Sequence, residues 1–227
     1  MSKISNKRVV ENYIQEQKND TGDKFYPNLM LVRSFAFLKN NTPCNILDYA
    51  CGYGANSIFM LEKSSHLTYA DTSPYAIEKT QKKIQGIKSN VPSKGILINP
   101  DIDKLPFKDN EFDIITCLSL LSLLSDIETI NNLLDEFKRI IKTGGRIYLD
   151  INGINSEFAH YAKPLDNNQF EYRGRNKSAN PMTVYCPKNE DAFVKLISSK
   201  FNVLTHGSSG HHLFDYIEEE FIVIAEK

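Results

Sequence analysis

The stretch Leu47-Asp-Tyr-Ala-Cys-Gly-Tyr-Gly-Ala-Asn56 carries the residues whose spacing points most clearly to ligand chemistry. Asp48 leads into Gly52 and Gly54, behind the apolar pair Ile46-Leu47 and ahead of a helix-like segment. Glycines this close together let the backbone turn tightly and approach a ligand with no side chain between them. A dinucleotide fingerprint would read G-x-G-x-x-G, its last glycine letting helix and strand close up. Here Ala55, Asn56 and Ser57 follow Gly54, so the third glycine is missing. An acid does stand at Asp71, roughly 20 residues further on, where a ribose-binding carboxylate is expected. On these residues alone, a dinucleotide, another ligand and a bare strand-to-helix turn all stay open.

The elements around the turn narrow the choice. Residues 46–50, 67–70, 95–98, 112–117 and 146–151 read as strands. Residues 56–63, 74–85 and 127–142 read as helices, the last with apolar residues at Ile130, Leu133, Leu134, Phe137 and Ile141. Strands alternating with helices imply parallel βαβ units covered on both faces. After a helix at 190–200, strands at 201–205 and 220–225 have no helix between them, so they should pair antiparallel. Ahead of the alternation, residues 1–40 begin polar and end in a helical stripe from Pro27 to Leu38, read as an N-terminal helical cap. Residues 41–227 form the main domain, interrupted at about 152–188 by an aromatic-rich insertion too long for a plain connection.

Composition sets limits on function. The chain has 227 residues, 41% of them hydrophobic and 24% charged, with a formal net charge of -1. That balance is ordinary for a soluble domain and supplies no basic field for nucleic acid. No apolar run has the length of a signal sequence or a membrane span. Cys44, Cys51, Cys117 and Cys186 form neither CxxC pairs nor a disulfide framework, and read as small hydrophobes. These features suggest a reduced cytoplasmic protein with no structural metal.

Acids recur at strand ends: Asp48, Asp71 in Tyr69-Ala-Asp-Thr-Ser-Pro74, and Asp101 ahead of Leu105-Pro-Phe107 and Phe112-Asp113. With Ile141-Lys-Thr-Gly-Gly145 they resemble the motif set of class I S-adenosylmethionine-dependent methyltransferases, chiefly over residues 40–151. The resemblance implies an α/β fold: a doubly wound, mostly parallel seven-stranded sheet with one antiparallel strand near its C-terminal edge and helices on both faces. It also implies S-adenosylmethionine as cofactor and gives the motif residues roles. Ala50 replaces the first family glycine, while Gly52 and Gly54 let the backbone pass beside the donor's methionine. Asp48 would orient the loop or, through water, the methionine ammonium. Asp71 matches the acid that accepts from both ribose hydroxyls, and Thr72 would pack on the adenine. Asp101 matches the acid that takes the adenine amine, with Ile102 offering its N–H and an apolar face. Cys117 and Leu118 would line the donor pocket through backbone. As bland alternatives, Asp71 and Asp101 could cap the turns that follow them.

In-line attack on a sulfonium methyl asks mainly for positioning, and for a base when the acceptor is a hydroxyl. Many relatives carry histidine just after the fourth strand, but this chain has Leu118-Ser-Leu-Leu-Ser-Leu-Leu-Ser125. The catalytic group is therefore unknown, with His211, His160 and Tyr172 as candidates. His211-His212 is expected in a loop between the last two strands, on the ligand rim, with no third ligand spaced for a metal. Within the insertion, 169–173 and 182–185 should form a hairpin over the site. Tyr26, Tyr172 and Arg173 are the candidate acceptor contacts, with Arg175 beside them. The expected acceptor is a small molecule such as a sugar or other metabolite. RNA or protein acceptors, and a non-catalytic donor-binding role, stand as alternatives.

Overall fold

The computed structural model describes residues 7–18, 26–38, 44–87, 89–173, 180–213 and 216–227. Two helices open the chain, α1 (Lys7–Lys18) and α2 (Leu29–Leu38). The alternating part is β1 (Asn45–Tyr49), α3 (Ala55–Leu61), β2 (His66–Asp71), α4 (Pro74–Gly86), β3 (Ser93–Leu97), β4 (Phe112–Cys117), α5 (Ile127–Ile140) and β5 (Ile141–Asn152). A single 3-10 turn, Leu121–Leu124, lies between β4 and α5. The insertion holds α6 (Glu157–His160), β6 (Lys163–Pro164), β7 (Gln169–Tyr172) and β8 (Met182–Tyr185). The chain closes with α7 (Glu190–Ser198), β9 (Asn202–Leu213) and β10 (Tyr216–Glu226).

The main sheet has seven strands in the order β3-β2-β1-β4-β5-β10-β9. The first five run parallel, and β10 lies antiparallel between β5 and β9. This is the expected fold class. Alternation along β1 divides the core: Leu47 and Tyr49 join the cluster under α5 and α7, and Ile46 joins the one under α2, α3 and α4. Burying such side chains contributes about 1.5–3 kcal/mol each before chain entropy is counted.

Local chemistry explains where the helices begin. Asn28 accepts from Met30 N at 2.9 Å and Leu31 N at 3.0 Å, capping α2. Ser73 caps α4 with Pro74 in its first turn, and Asp126 caps α5 by accepting from Thr129 N at 2.7 Å. The helix stops at Ile140, and Gly144, at φ 73°, lies within β5 where its pairing with β4 shifts register.

Three expectations change. The last two strands are far longer than 201–205 and 220–225. Their outer parts, Gly210–Leu213 and Tyr216–Glu219, pair only with each other, beyond the point where Glu220 meets Asn152 of β5. Glycine and serine, poor strand formers, hid this arm from the pattern. His211 and His212 consequently lie in β9, not in a loop. The polar opening residues also contain a helix, α1. The insertion hairpin does form, with Tyr172 opposite Met182, and β6 extends it to three strands. Its own small core of Ala159, Tyr172, Val184 and Cys186 packs on Leu123. No described helix is long and apolar enough to cross a membrane. None of the four cysteines is in a disulfide, and all are buried.

Behind the sheet, Arg139 of α5 ties down the chain leading into β4. It donates to Leu105 O (3.0 Å), Phe107 O (2.8 Å), Asp109 (2.7 Å) and Glu136 (2.7 Å). Glu136 in turn accepts from Leu105 N at 2.6 Å. Arg139→Met should lower the unfolding free energy by about 2–4 kcal/mol, since it strands carbonyls and a half-buried acid. Urea denaturation measures this, and a loss under about 1 kcal/mol would mean the segment is held by its apolar residues alone.

Candidate functional site

Between β1 and α3 the backbone takes three left-handed residues in alternation: Ala50 (φ 58°), Gly52 (φ 53°) and Gly54 (φ 80°). Glycine adopts this region freely, but for alanine it costs about 1–2 kcal/mol. The turn is therefore held from several sides. Cys51 N donates to Ala70 O and Gly54 N to Cys51 O, both at 3.0 Å. From α4, Thr80 Oγ1 donates to Gly52 O at 3.1 Å and Lys83 Nζ to Tyr53 O at 3.0 Å. A Cβ on Gly54 would come within 2.6 Å of Thr80 Oγ1, so this glycine is needed for close packing of α3 on α4.

Two buried carboxylates brace the turn. Asp71, at the end of β2, accepts from Gly52 N through Oδ2 and from Ser73 N through Oδ1, each at 2.9 Å. Burial pushes its pKa up, and those backbone N–H groups work against the rise. A carboxylate accepts about four hydrogen bonds, so Asp71 retains capacity towards a ligand while fixing both the turn and the start of α4. Asp48 lies deeper. Ser57 Oγ of α3 donates to it at 2.5 Å and Thr116 Oγ1 of β4 at 3.0 Å. Burial drives its pKa up to about 6, partly offset by the two hydroxyls. Its contacts join β1, α3 and β4 below the turn.

Parallel pairing sets Tyr49 beside both Ala70 and Cys117, so the ends of β1, β2 and β4 converge on one rim. Asp48, Ala50, Gly52, Gly54, Asp71, Thr72, Cys117 and Leu118 gather there. Cys117 and Leu118 are buried, and Thr72 is half-buried. Asp101 and Ile102 follow β3 on the same rim. Asp101 is exposed in a turn where its N–H donates to Asn99 Oδ1 at 2.9 Å, and Ile102 packs against the main core.

The acceptor candidates are more scattered. Tyr172 is 7% exposed, stacks edge-on against Phe158 at 5.0 Å and donates to Glu157 at 2.9 Å, contacts that lie within the insertion. Arg173 is exposed and pairs with Glu171 at 3.1 Å, while Arg175 lies outside the described residues. Tyr26 is 83% exposed. His160 is exposed on α6 with its ring against Tyr161, and His211 pairs with Glu218 across the arm at 2.9 Å. Four strand spacings of about 4.8 Å set β9 roughly 19 Å from β1, a long reach for an imidazole.

Sequence reasoning missed Tyr13 of α1, whose hydroxyl would stand 3.1 Å from a Cβ on Gly52. It also missed Thr80, and Asp150 at the end of β5, which accepts from Ser119 N at 2.6 Å. An acid at a strand end was a usable signal for Asp150. Nothing in a polar opening segment pointed to Tyr13.

A family model described as a methyltransferase domain matches residues 46–145. The chain is 26% identical over 172 residues to an uncharacterised protein of Methanocaldococcus jannaschii, covering 72% of this chain and 68% of the other. Among solved structures, it resembles a SAM-dependent methyltransferase of Methanosarcina mazei with a TM-score of 0.71 at 18% identity, covering 89% of this chain and 98% of that one. It also resembles a methyltransferase of Haloferax volcanii solved in complex with a methyltransferase activator, with a TM-score of 0.66, 13% identity and 96% of each chain covered.

Two variants test the brace around the turn. Folding raises the Asp48 pKa from 3.8 to about 6, so ionised Asp48 weakens the folded state by an amount that grows across that interval. The loss is complete above about pH 6 and on the order of 3 kcal/mol. Asp48→Asn should therefore gain in melting temperature relative to the parent as pH rises from 4 to 8. A constant difference between the two would show that Asp48 does not titrate there. Ala50→Gly should be neutral or stabilise by up to about 1 kcal/mol, relief of left-handed strain outweighing the added freedom of the unfolded chain. Clear destabilisation on thermal melting would mean that the Ala50 methyl contributes packing.

Proposed function

We propose that residues 46–145 form a class I S-adenosylmethionine-dependent methyltransferase domain, with S-adenosylmethionine as its donor, and that the protein methylates a small molecule at oxygen or nitrogen. The rim fits the donor on two structural grounds. With no Cβ, Gly52 leaves its backbone open beside the Tyr13 hydroxyl, and Asp71 keeps acceptor capacity at the end of β2. When bound, the donor supplies a sulfonium-activated methyl group. In this reading Asp71 accepts from the ribose hydroxyls and Asp101 from the adenine amine. Asp48 keeps the turn in register without touching the ligand, and Leu118 and Cys117 exclude water beneath it.

The observation that carries the acceptor class is the insertion. Its three-stranded sheet and α6 pack on Leu123, in the segment that directly follows β4. That placement narrows the approach to the rim, which suits a small acceptor better than a folded RNA or protein. A net charge of -1 also gives no attraction for a phosphate backbone. Four buried thiols outside any disulfide suit a reducing compartment, so we place the enzyme in the cytoplasm. The Haloferax volcanii neighbour was solved with an activator bound, which makes partner-dependent activity the second reading.

A screen with labelled donor against metabolite, tRNA and protein pools, run with and without cell extract, tests this proposal. Label should appear in the metabolite fraction. Label confined to tRNA or protein would overturn the acceptor class, and activity confined to the extract-supplemented arm would favour the second reading.

A further inference from the structure

Neighbouring residues of α1 reach the insertion and the glycine turn. The Asn12 side-chain amide donates to Asn180 O at 3.1 Å, just ahead of β8 in the insertion. One residue later, the Tyr13 hydroxyl overlies the glycine turn. Among the described residues, Tyr13 is the one that a Cβ on Gly52 would meet within 4 Å. Asn12, Tyr13 and Ile14 are half-buried, whereas Glu11 and Gln15 are exposed, so this part of α1 rests on the molecule along one side. The helix also packs towards α4, which holds the turn from the other side through Thr80 and Lys83.

The hydroxyl lies against Gly52 itself, so a ligand laid along the turn would meet the phenol at its edge. The donor's methionine end carries a carboxylate, and a phenol hydroxyl donates to a carboxylate in a charge-assisted hydrogen bond. We propose that Tyr13 donates to the methionine carboxylate of the bound donor, and that Asn12 is a positioning residue which links this contact to the seating of the insertion. The proposal rests on the glycine turn being the donor site. Because Asn12 and Tyr13 belong to one helical turn, α1 cannot settle on the donor without also settling against Asn180. Donor binding and closure of the acceptor side therefore favour each other, and the coupling is reciprocal.

Calorimetry with two ligands separates this role from a purely structural one. S-adenosylhomocysteine has the methionine carboxylate, and methylthioadenosine lacks it. Tyr13→Phe should weaken S-adenosylhomocysteine about tenfold, the scale of one hydrogen bond to a charged group, and leave methylthioadenosine unchanged. Asn12→Ala should keep most of the affinity for S-adenosylhomocysteine, within about threefold. It should also lose the amide-exchange protection that this ligand confers on residues 180–187 in the parent. Equal weakening of both ligands, or unchanged or tighter binding of S-adenosylhomocysteine by Tyr13→Phe, would overturn the role of Tyr13. Full protection of 180–187 in Asn12→Ala would overturn the link. A parent chain that binds neither ligand would instead remove the donor-site reading on which both rest.

Discussion

Within five residues, Ala50 to Gly54, the chain must turn from a buried strand into a helix and leave one side of its backbone bare. Much of the polar structure near the rim follows from that constraint. Three left-handed residues in alternation aim the intervening peptide groups in directions that no regular element would satisfy. Partners are therefore brought from β2, α4 and β4: Asp71 for Gly52 N, Thr80 for Gly52 O, Lys83 for Tyr53 O, and the Asp48-Ser57-Thr116 cluster underneath. The strain at Ala50 and the buried charge at Asp48 both oppose folding. The apolar layer below, where Leu47 is 0% exposed and Tyr49 4%, contributes more than either costs.

The same turn has a second support behind the sheet. Tyr49, the last residue of β1, stacks edge-on against Phe137 of α5 at 5.1 Å. Within the same turn of helix, Glu136 and Arg139 hold the chain from Leu105 to Asp109, which follows Asp101 and Ile102. One helix therefore backs both the glycine turn and the segment beyond β3. A shift in α5 would displace both together, and this gives a physical reason for the tight anchoring of an element that contributes nothing to the open rim.

How much of this was legible in the sequence depended on the kind of signal. The parallel strands were readable because burial on both faces leaves mostly apolar runs such as Phe112-Asp-Ile-Ile-Thr-Cys117. The helices were readable from their apolar spacing, and the structure shows Ser73, Asp126 and Asn189 capping their starts. The glycine turn was visible, and so was the substitution at Ala50, though not its left-handed strain. The arm of β9 and β10 was hidden because Gly207-Ser-Ser-Gly210 reads as loop, and pairing to a partner strand overrode that local preference. Which way Tyr172 faces depended on α6 packing against one side of a short sheet, a tertiary fact with no local trace. The reach of Tyr13 to Gly52 is likewise a long-range contact, made by a helix whose sequence is mostly polar.

The distribution of sulfur has a practical side. Every thiol in the chain is buried, and burial pushes the pKa of Cys51 and Cys117 well up and that of Cys186 up to about 12. Thiolate is the reactive form, so these sulfurs should be poor targets for mild oxidants and alkylating dyes. An added surface cysteine would then be the reactive one by a wide margin. Dyes or spin labels could be attached singly, without first stripping the native cysteines from the core, and distances between helix and sheet could be followed in solution in the otherwise unaltered protein.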